Sequence, residues 1–126
     1  MIDTKNFTYS DSRLKDIYLF LKEIKQKNVY MPGTKEGECM EPYIVVKSSG
    51  GFKHADFSSS ISTYTILCYV PKNKYSELES YVEDIKNCMK ELFPLFRFSG
   101  NETPSFYDDE IKAHTVSIDY INYKKL

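Results

Sequence analysis

The sequence predicts an α+β domain: a small mixed or antiparallel sheet with two helices packed on it, in the order α-β-β-α-β, with a long loop between the first two strands. Three observations carry this expectation. Residues 63–92 read TYTILCYV, PKNKYS and ELESYVEDIKNCMKEL, which is an alternating strand, a sharp turn and a helix with a 3.6-residue apolar period. Residues 14–24 show the same helical period. Residues 114–125 alternate again. At 126 residues the chain is one domain, residues 1–126. A chain of this size buries roughly two-thirds of its unfolded surface, enough for a core without disulfides or metals.

Residues 1–10 form a polar entry segment, and Asp11 or Ser12 can cap the first helix by accepting from its free backbone N–H groups. Leu14, Ile17, Tyr18, Leu21 and Ile24 then share one face, with a Lys-rich last turn that suits the negative end of the helix dipole and an end near Asn28. Residues 29–42, VYMPGTKEGECMEP, are irregular, with a short strand available at 29–31 and solvated glutamates around Cys39. YIVVK at 43–47 is apolar on both faces, as in a strand covered on both sides.

Residues 48–60, SSGGFKHADFSSS, read as a long mobile loop carrying two apolar residues, Phe52 and Phe57. In the strand at 63–70, Tyr64, Ile66, Cys68 and Val70 face one way and Thr65, Leu67 and Tyr69 the other. Pro71 ends it, since proline cannot donate to a ladder. Ser76 and Glu79 have the spacing of a capping box. Leu78, Tyr81, Val82, Ile85, Met89 and Leu92 make the buried stripe, with Cys88 at its margin, and Pro94 closes the helix. Residues 95–113 read as a turn-bearing connector with a short strand at 95–98 and an acidic run, Asp108, Asp109 and Glu110. The strand at 114–125 is apolar on one face only, which places it near a sheet edge, and edge strands invite pairing with another chain.

Seventeen basic residues against eighteen acidic ones, a net charge of −1, argue against a dedicated nucleic-acid binder, which needs cations to neutralise phosphates. Eleven Tyr and eight Phe with no Trp make the chain rich in side chains that suit half-exposed sheets and interfaces, although a nucleotide-biased genome yields the same composition. Three cysteines without metal spacing read as reduced thiols. A polar start and the lack of an apolar run of about 18 residues lead to the expectation of a protein without a membrane span, used inside a cell or in a particle assembled there.

Chemistry is sparse. His54 and Asp56 lie on one side of an extended segment, and an acidic run precedes His114, but neither has the three or four converging ligands that a divalent metal wants. Cys68 sits mid-strand, far from a helix N-terminus that would activate it. The PKNKYS turn lacks the glycines of a phosphate-binding loop. The residues point to no catalytic group, cofactor or metal.

Over residues 43–126 the chain resembles the small tail-terminator, or tail-completion, proteins of tailed phages and of defective prophages of Gram-positive bacteria. The resemblance rests on YTILCYVPKNKYSELESYVEDIKNCMKEL, on GNETPSFYDDEIKAHTVSIDYINYKKL, and most on the phrase A-H-x-x-S-I-x-Y-x-N-Y at residues 113–123. It implies a non-enzymatic structural subunit of a hexameric ring. Such a ring caps the tail tube, ends its polymerisation and forms the head-joining surface, or the collar of a headless phage-tail-like bacteriocin. The implied partners are other copies of the chain, the tail tube protein, and a sheath or head-connector protein. The implied location is the cytoplasm during assembly and then the finished particle. The family has no residue-level functional motif to carry over.

The candidate contacts come from the residues themselves: Phe52, His54 and Phe57 in the loop, Tyr107, Asp108 and Asp109 in the connector, and Tyr120, Tyr123 and Lys124 in the last strand. The acidic connector would face Lys72, Lys74, Lys124 or Lys125 of a neighbour. Near-zero net charge lets such subunits assemble without strong repulsion. The rival readings are another neck or head–tail adaptor protein, a small ligand-binding or enzymatic domain using His54 or His114, and a ring-forming regulatory module.

Overall fold

A computed structural model describes residues 14–53 and 59–125 of the chain. The fold is α+β: two helices cover one face of a mixed sheet of six strands among those residues. Helix α1, Leu14–Leu19, passes into a π-helical turn at Phe20–Ile24, and Gln26 at φ 54° stops it short of Asn28. The wide turn is marked by the Lys25 N–H donating to the Phe20 carbonyl at 3.1 Å. It lets Phe20 and Leu21, neighbours in sequence, both bury beside Ile17, while Leu14, Tyr18 and Ile24 pack at the margin. The expected caps Asp11 and Ser12 lie outside the described residues.

Strand β1, Val29–Tyr30, runs parallel to β2, Tyr43–Lys53, which pairs antiparallel with β3, Ser59–Pro71. The loop expected over residues 48–60 is therefore mostly strand. Its glycines serve a β-bulge: Ser48 pairs with Tyr64 but Gly51 with Ser62, so β2 carries one extra residue, and Gly50 takes φ 88° to accommodate it. A Cβ at Gly51 would sit 2.4 Å from the Ile61 carbonyl oxygen, so only glycine fits beside the partner backbone. Glycine and serine disfavour strands by propensity, but here the ladder decides.

Helix α2, Leu78–Met89, buries Leu78, Val82, Ile85, Cys88 and Met89 against the sheet. A 3-10 turn at Lys72–Glu77 leads into it and another, Lys90–Leu92, follows. The first of these carries Ser76, so the capping box does not form. The N-cap position is Glu77, no side chain caps it, and the Ser80 hydroxyl donates back to the Glu77 carbonyl at 3.1 Å. Phe93 is extended ahead of Pro94, as expected at the helix end.

Two further strands follow, β4 at Arg97–Glu102 and β5 at Phe106–Asp108, and both pair antiparallel with β6, Ala113–Lys125. The sheet order is β1-β2-β3-β6-β4, with β5 also on β6. The last strand is therefore interior, not near an edge. Its single apolar face is genuine all the same: Val116, Ile118, Tyr120 and Asn122 are buried toward the helices, while Thr115, Ser117, Asp119 and Ile121 face outward and stay partly exposed.

Among the described residues, the outward face is covered at one end. Residues 31–42 fold over it, with the Cys39 N–H donating to the Ile111 carbonyl at 2.7 Å. Cys39, Tyr43 and Ala113 form a second small core there, with the Tyr43 and Tyr69 rings stacked at 4.9 Å. This explains why YIVVK is apolar on both faces: Ile44 and Val46 enter the main core, Tyr43 and Val45 the smaller one.

Candidate functional site

The three thiols are buried and the described histidine is packed between two rings. Cys39, Cys68 and Cys88 are free and buried. Burial pushes the Cys68 thiol up to about 12 and raises those of Cys39 and Cys88, so all three stay protonated near neutrality. His114 sits between the rings of Tyr75 and Tyr107, at 4.7 and 5.0 Å, and its Nε2 lies 3.0 Å from the Lys72 carbonyl oxygen. The ring is thus anchored to the turn before α2 and to β5. No group of three His, Cys, Asp or Glu side chains among the described residues is placed to hold a metal ion. No described helix is long and apolar enough to cross a membrane.

Among the described residues, exposed apolar side chains gather at two places of interest. The first is a cleft of about 620 Å³ between the end of α2 and β4. Buried Met89, Phe96 and Tyr120 form its floor, Phe93 and Phe98 its walls at 62% and 44% exposure, and Lys86, Lys90 and Arg97 its rim. The alternation of β4 builds one wall: Phe98 pairs with Tyr120 across the ladder, so it points to the helix side, its ring 5.6 Å from that of Tyr120. Cations lie over both wall rings, with Lys86 Nζ 5.1 Å from the Phe98 centroid and the Arg97 guanidinium 5.3 Å from that of Phe93. Lys86 also pairs with Glu102 and Glu83, and the Glu102 contact raises the pKa of its ammonium.

The second place is the covered end of the outward face. Cys39 turns in and Met40 turns out, 75% exposed, with Glu36, Glu38 and Glu41 exposed around it. Phe106 of β5 is 64% exposed and pairs with Thr115, an outward-facing position at the same end of β6. Asp109 and Glu110 are exposed on the adjoining turn, where the Asp108 carboxylate accepts from the Glu110 N–H at 3.0 Å.

The residues singled out from sequence are thus dispersed. Tyr107 packs at a tilt against His114 at the β5 edge, and Asp108 and Asp109 lead into the turn before β6. Tyr120 is buried at 3% exposure and is not offered to a partner, because even-numbered positions of β6 face the helices; burial raises its phenol pKa well above the ordinary value. Phe52, Tyr123 and Lys124 pair in the sheet with Ile61, Ile61 and Ser60, and their side chains lie outside the described residues. His54 and Phe57 lie outside them altogether. Lys72 donates its backbone N–H to Lys112, and Lys74 pairs with Glu77 of its own turn.

Sequence reasoning missed Phe93, Phe98, Lys90 and Met40. For Phe93 and Phe98 a signal exists: FPLFRF at 93–98 packs three aromatic rings and an arginine around a proline, directly after a helix. Met40 has none, since nothing in CME tells which of Cys39 and Met40 turns inward. Comparison with protein-family models and with curated proteins found no match to this chain.

Proposed function

We propose that the chain is a structural subunit that assembles into a ring, a hexamer by the family resemblance, at the end of a tail tube. The ring ends polymerisation of the tube and forms the collar or the head-joining surface of a phage or tail-like particle. Its partners in this reading are its own copies, the tube protein, and a sheath or head-connector protein. The work is done by surfaces and not by catalysis.

The observation that carries the reading is the pair of unlike apolar patches. A ring needs a heterologous interface, in which one surface of each subunit meets a different surface of the next. The aromatic cleft at β4 and the Met40–Phe106 end are such a pair: different in shape and placed at different ends of the sheet. The phrase at residues 113–123 supports the same reading, since β6 is the strand that holds both patches in place.

Negative-stain electron microscopy and mass photometry of the purified protein, alone and with tube protein, test the proposal. Closed rings of one stoichiometry are expected. A protein that stays monomeric at high concentration and on tubes alike refutes it. Binding to a head connector but not to the tube end would instead make it a neck adaptor.

A further inference from the structure

We infer that the subunit contact is made by the acidic loop around Met40 of one copy entering the aromatic cleft of the next. The inference rests on the ring-forming reading and adds to it the two surfaces that meet. Met40 is an unbranched, polarizable side chain, three-quarters exposed, on a loop whose exposed charges are Glu36, Glu38 and Glu41. A thioether packs favourably against aromatic ring edges. The cleft offers two exposed rings, Phe93 and Phe98, over an apolar floor, and its rim is cationic. Lys86 is already engaged by Glu102, so the charge available to an incoming carboxylate comes foremost from exposed Lys90. Apolar centre meets apolar centre, and acidic rim meets basic rim, the arrangement that gives an interface both affinity and register.

The loop cannot reach the cleft of its own copy. It is pinned to the start of β6 through Cys39 and Ile111, on the outward face, whereas Tyr120 marks the cleft on the helix face. Ala113 and Tyr120 are seven residues apart on one strand, about 23 Å at roughly 3.3 Å per residue. The contact is therefore between copies and runs head to tail. Each subunit keeps one cleft and one loop open until the ring closes.

The test places a photo-activatable benzoylphenylalanine at position 40 of the full chain and maps its cross-links by mass spectrometry. Cross-links to residues 86–98 of a second copy are expected. In parallel, sedimentation velocity follows self-association of Met40→Asp and Lys90→Glu, both exposed positions, with circular dichroism confirming the fold. Each variant is expected to weaken association about tenfold or more, the loss typical of a residue central to an interface. Adding Glu38→Lys and Glu41→Lys to Lys90→Glu is expected to recover most of it. If the protein associates, but Met40→Asp leaves association unchanged and position 40 cross-links elsewhere, the inference is overturned and the ring reading survives. Cross-links from position 40 to tube protein alone overturn it as well, by giving the loop a different partner. A wild-type chain that never self-associates, with or without tubes, overturns both.

Discussion

Replacing Gly51 with alanine separates a bulged hairpin from a mobile loop by the sign of its effect. In a mobile loop, Gly→Ala reduces the entropy of the unfolded chain and stabilises by about 0.4–1 kcal/mol. In the bulge, the new Cβ lies 2.4 Å from the Ile61 carbonyl oxygen and 3.2 Å from the Ser62 Cα, both backbone atoms that no rotamer change can move. Relief requires the two strands to part, a cost in the range of overpacking, about 1–3 kcal/mol. For a chain of this length each kcal/mol lowers Tm by about 3–6 °C, so a fall of about 3–18 °C is expected. Gly50 is the control. Nothing lies within 4 Å of a Cβ there, and the obstacle is φ 88° alone. Gly50→Ala therefore costs about 1–2 kcal/mol, and Gly50→Asn recovers part of it because asparagine tolerates positive φ. Gly51→Asn recovers nothing, since space is the limit. Thermal and urea unfolding of the four variants measures this. A Gly51→Ala protein as stable as the parent, or more so, would refute the bulge.

Other expectations follow from the core and its protonation. Ile85→Ala, at a fully buried position of α2 facing the sheet, should destabilise by about 2–5 kcal/mol in urea titration with the slope unchanged. Thr65→Val should cost about 1–2 kcal/mol, because the Thr65 hydroxyl is almost fully buried on the outward face, donates to Asp119 Oδ1 at 2.7 Å and lies 2.5 Å from the Ser49 hydroxyl. In an Asp119→Ala background the same change should cost less, and a double-mutant cycle reads the difference. Alkaline pH should unfold the protein. Burial lifts Cys68 from 9.0 and Tyr43 from 10.0, each to about 12, and Tyr81 and Tyr120 also rise. Their folded pKa values exceed the unfolded ones, so their stabilisation is complete below about pH 9 and is lost as pH climbs from there through about 12. Absorbance at 295 nm should show the exposed tyrosines ionising first and the buried set only together with loss of circular dichroism.

Legibility tracked one-sided burial. Helix α2 and strands β3 and β6 each bury one face against the other layer, so their sequences had to carry periods of 3.6 and 2, and both were readable. Strand β4 buries no residue along its length, and β5 is three residues long, so neither had a pattern to show. The far half of β2 is Ser-Ser-Gly-Gly because a bulge and a close backbone crossing demanded it, and those same residues imitate a loop. With β4 legible only as a short strand at 95–98, where the structure has Arg97–Glu102, and β5 not at all, β6 reads as an edge. The candidate site suffered in the same way: Met40, Phe93 and Phe98 stand where no period constrains the chain. Tyr120 reads as a contact from sequence because an exposed and a buried tyrosine look alike until the facing element is known.

The edges of the sheet also say how subunits of this kind can meet. An open strand edge is a template for another strand, and a ring could in principle form by continuing the sheet. Both edges resist that. At one, β1 is two residues long and pairs only with Ile44 and Val45, and the β2 edge beyond it is interrupted by the bulge between Ser48 and Gly51. At the other, β4 passes from its Phe98–Tyr120 pair to its Glu102–Ile118 pair with two extra residues, and Gly100 takes φ 93° within the bulge. A bulged edge bends away and interrupts its own hydrogen-bonding row. Phe98, just ahead of the bulge, keeps its pairing with Tyr120 and so stands on the helix side beside Phe93 and Lys90, as a wall of the cleft. The strand whose edge resists strand addition is thus also the one that walls the cleft. Association through side chains in defined patches is what this edge favours, and it is the mode the proposed Met40 contact uses.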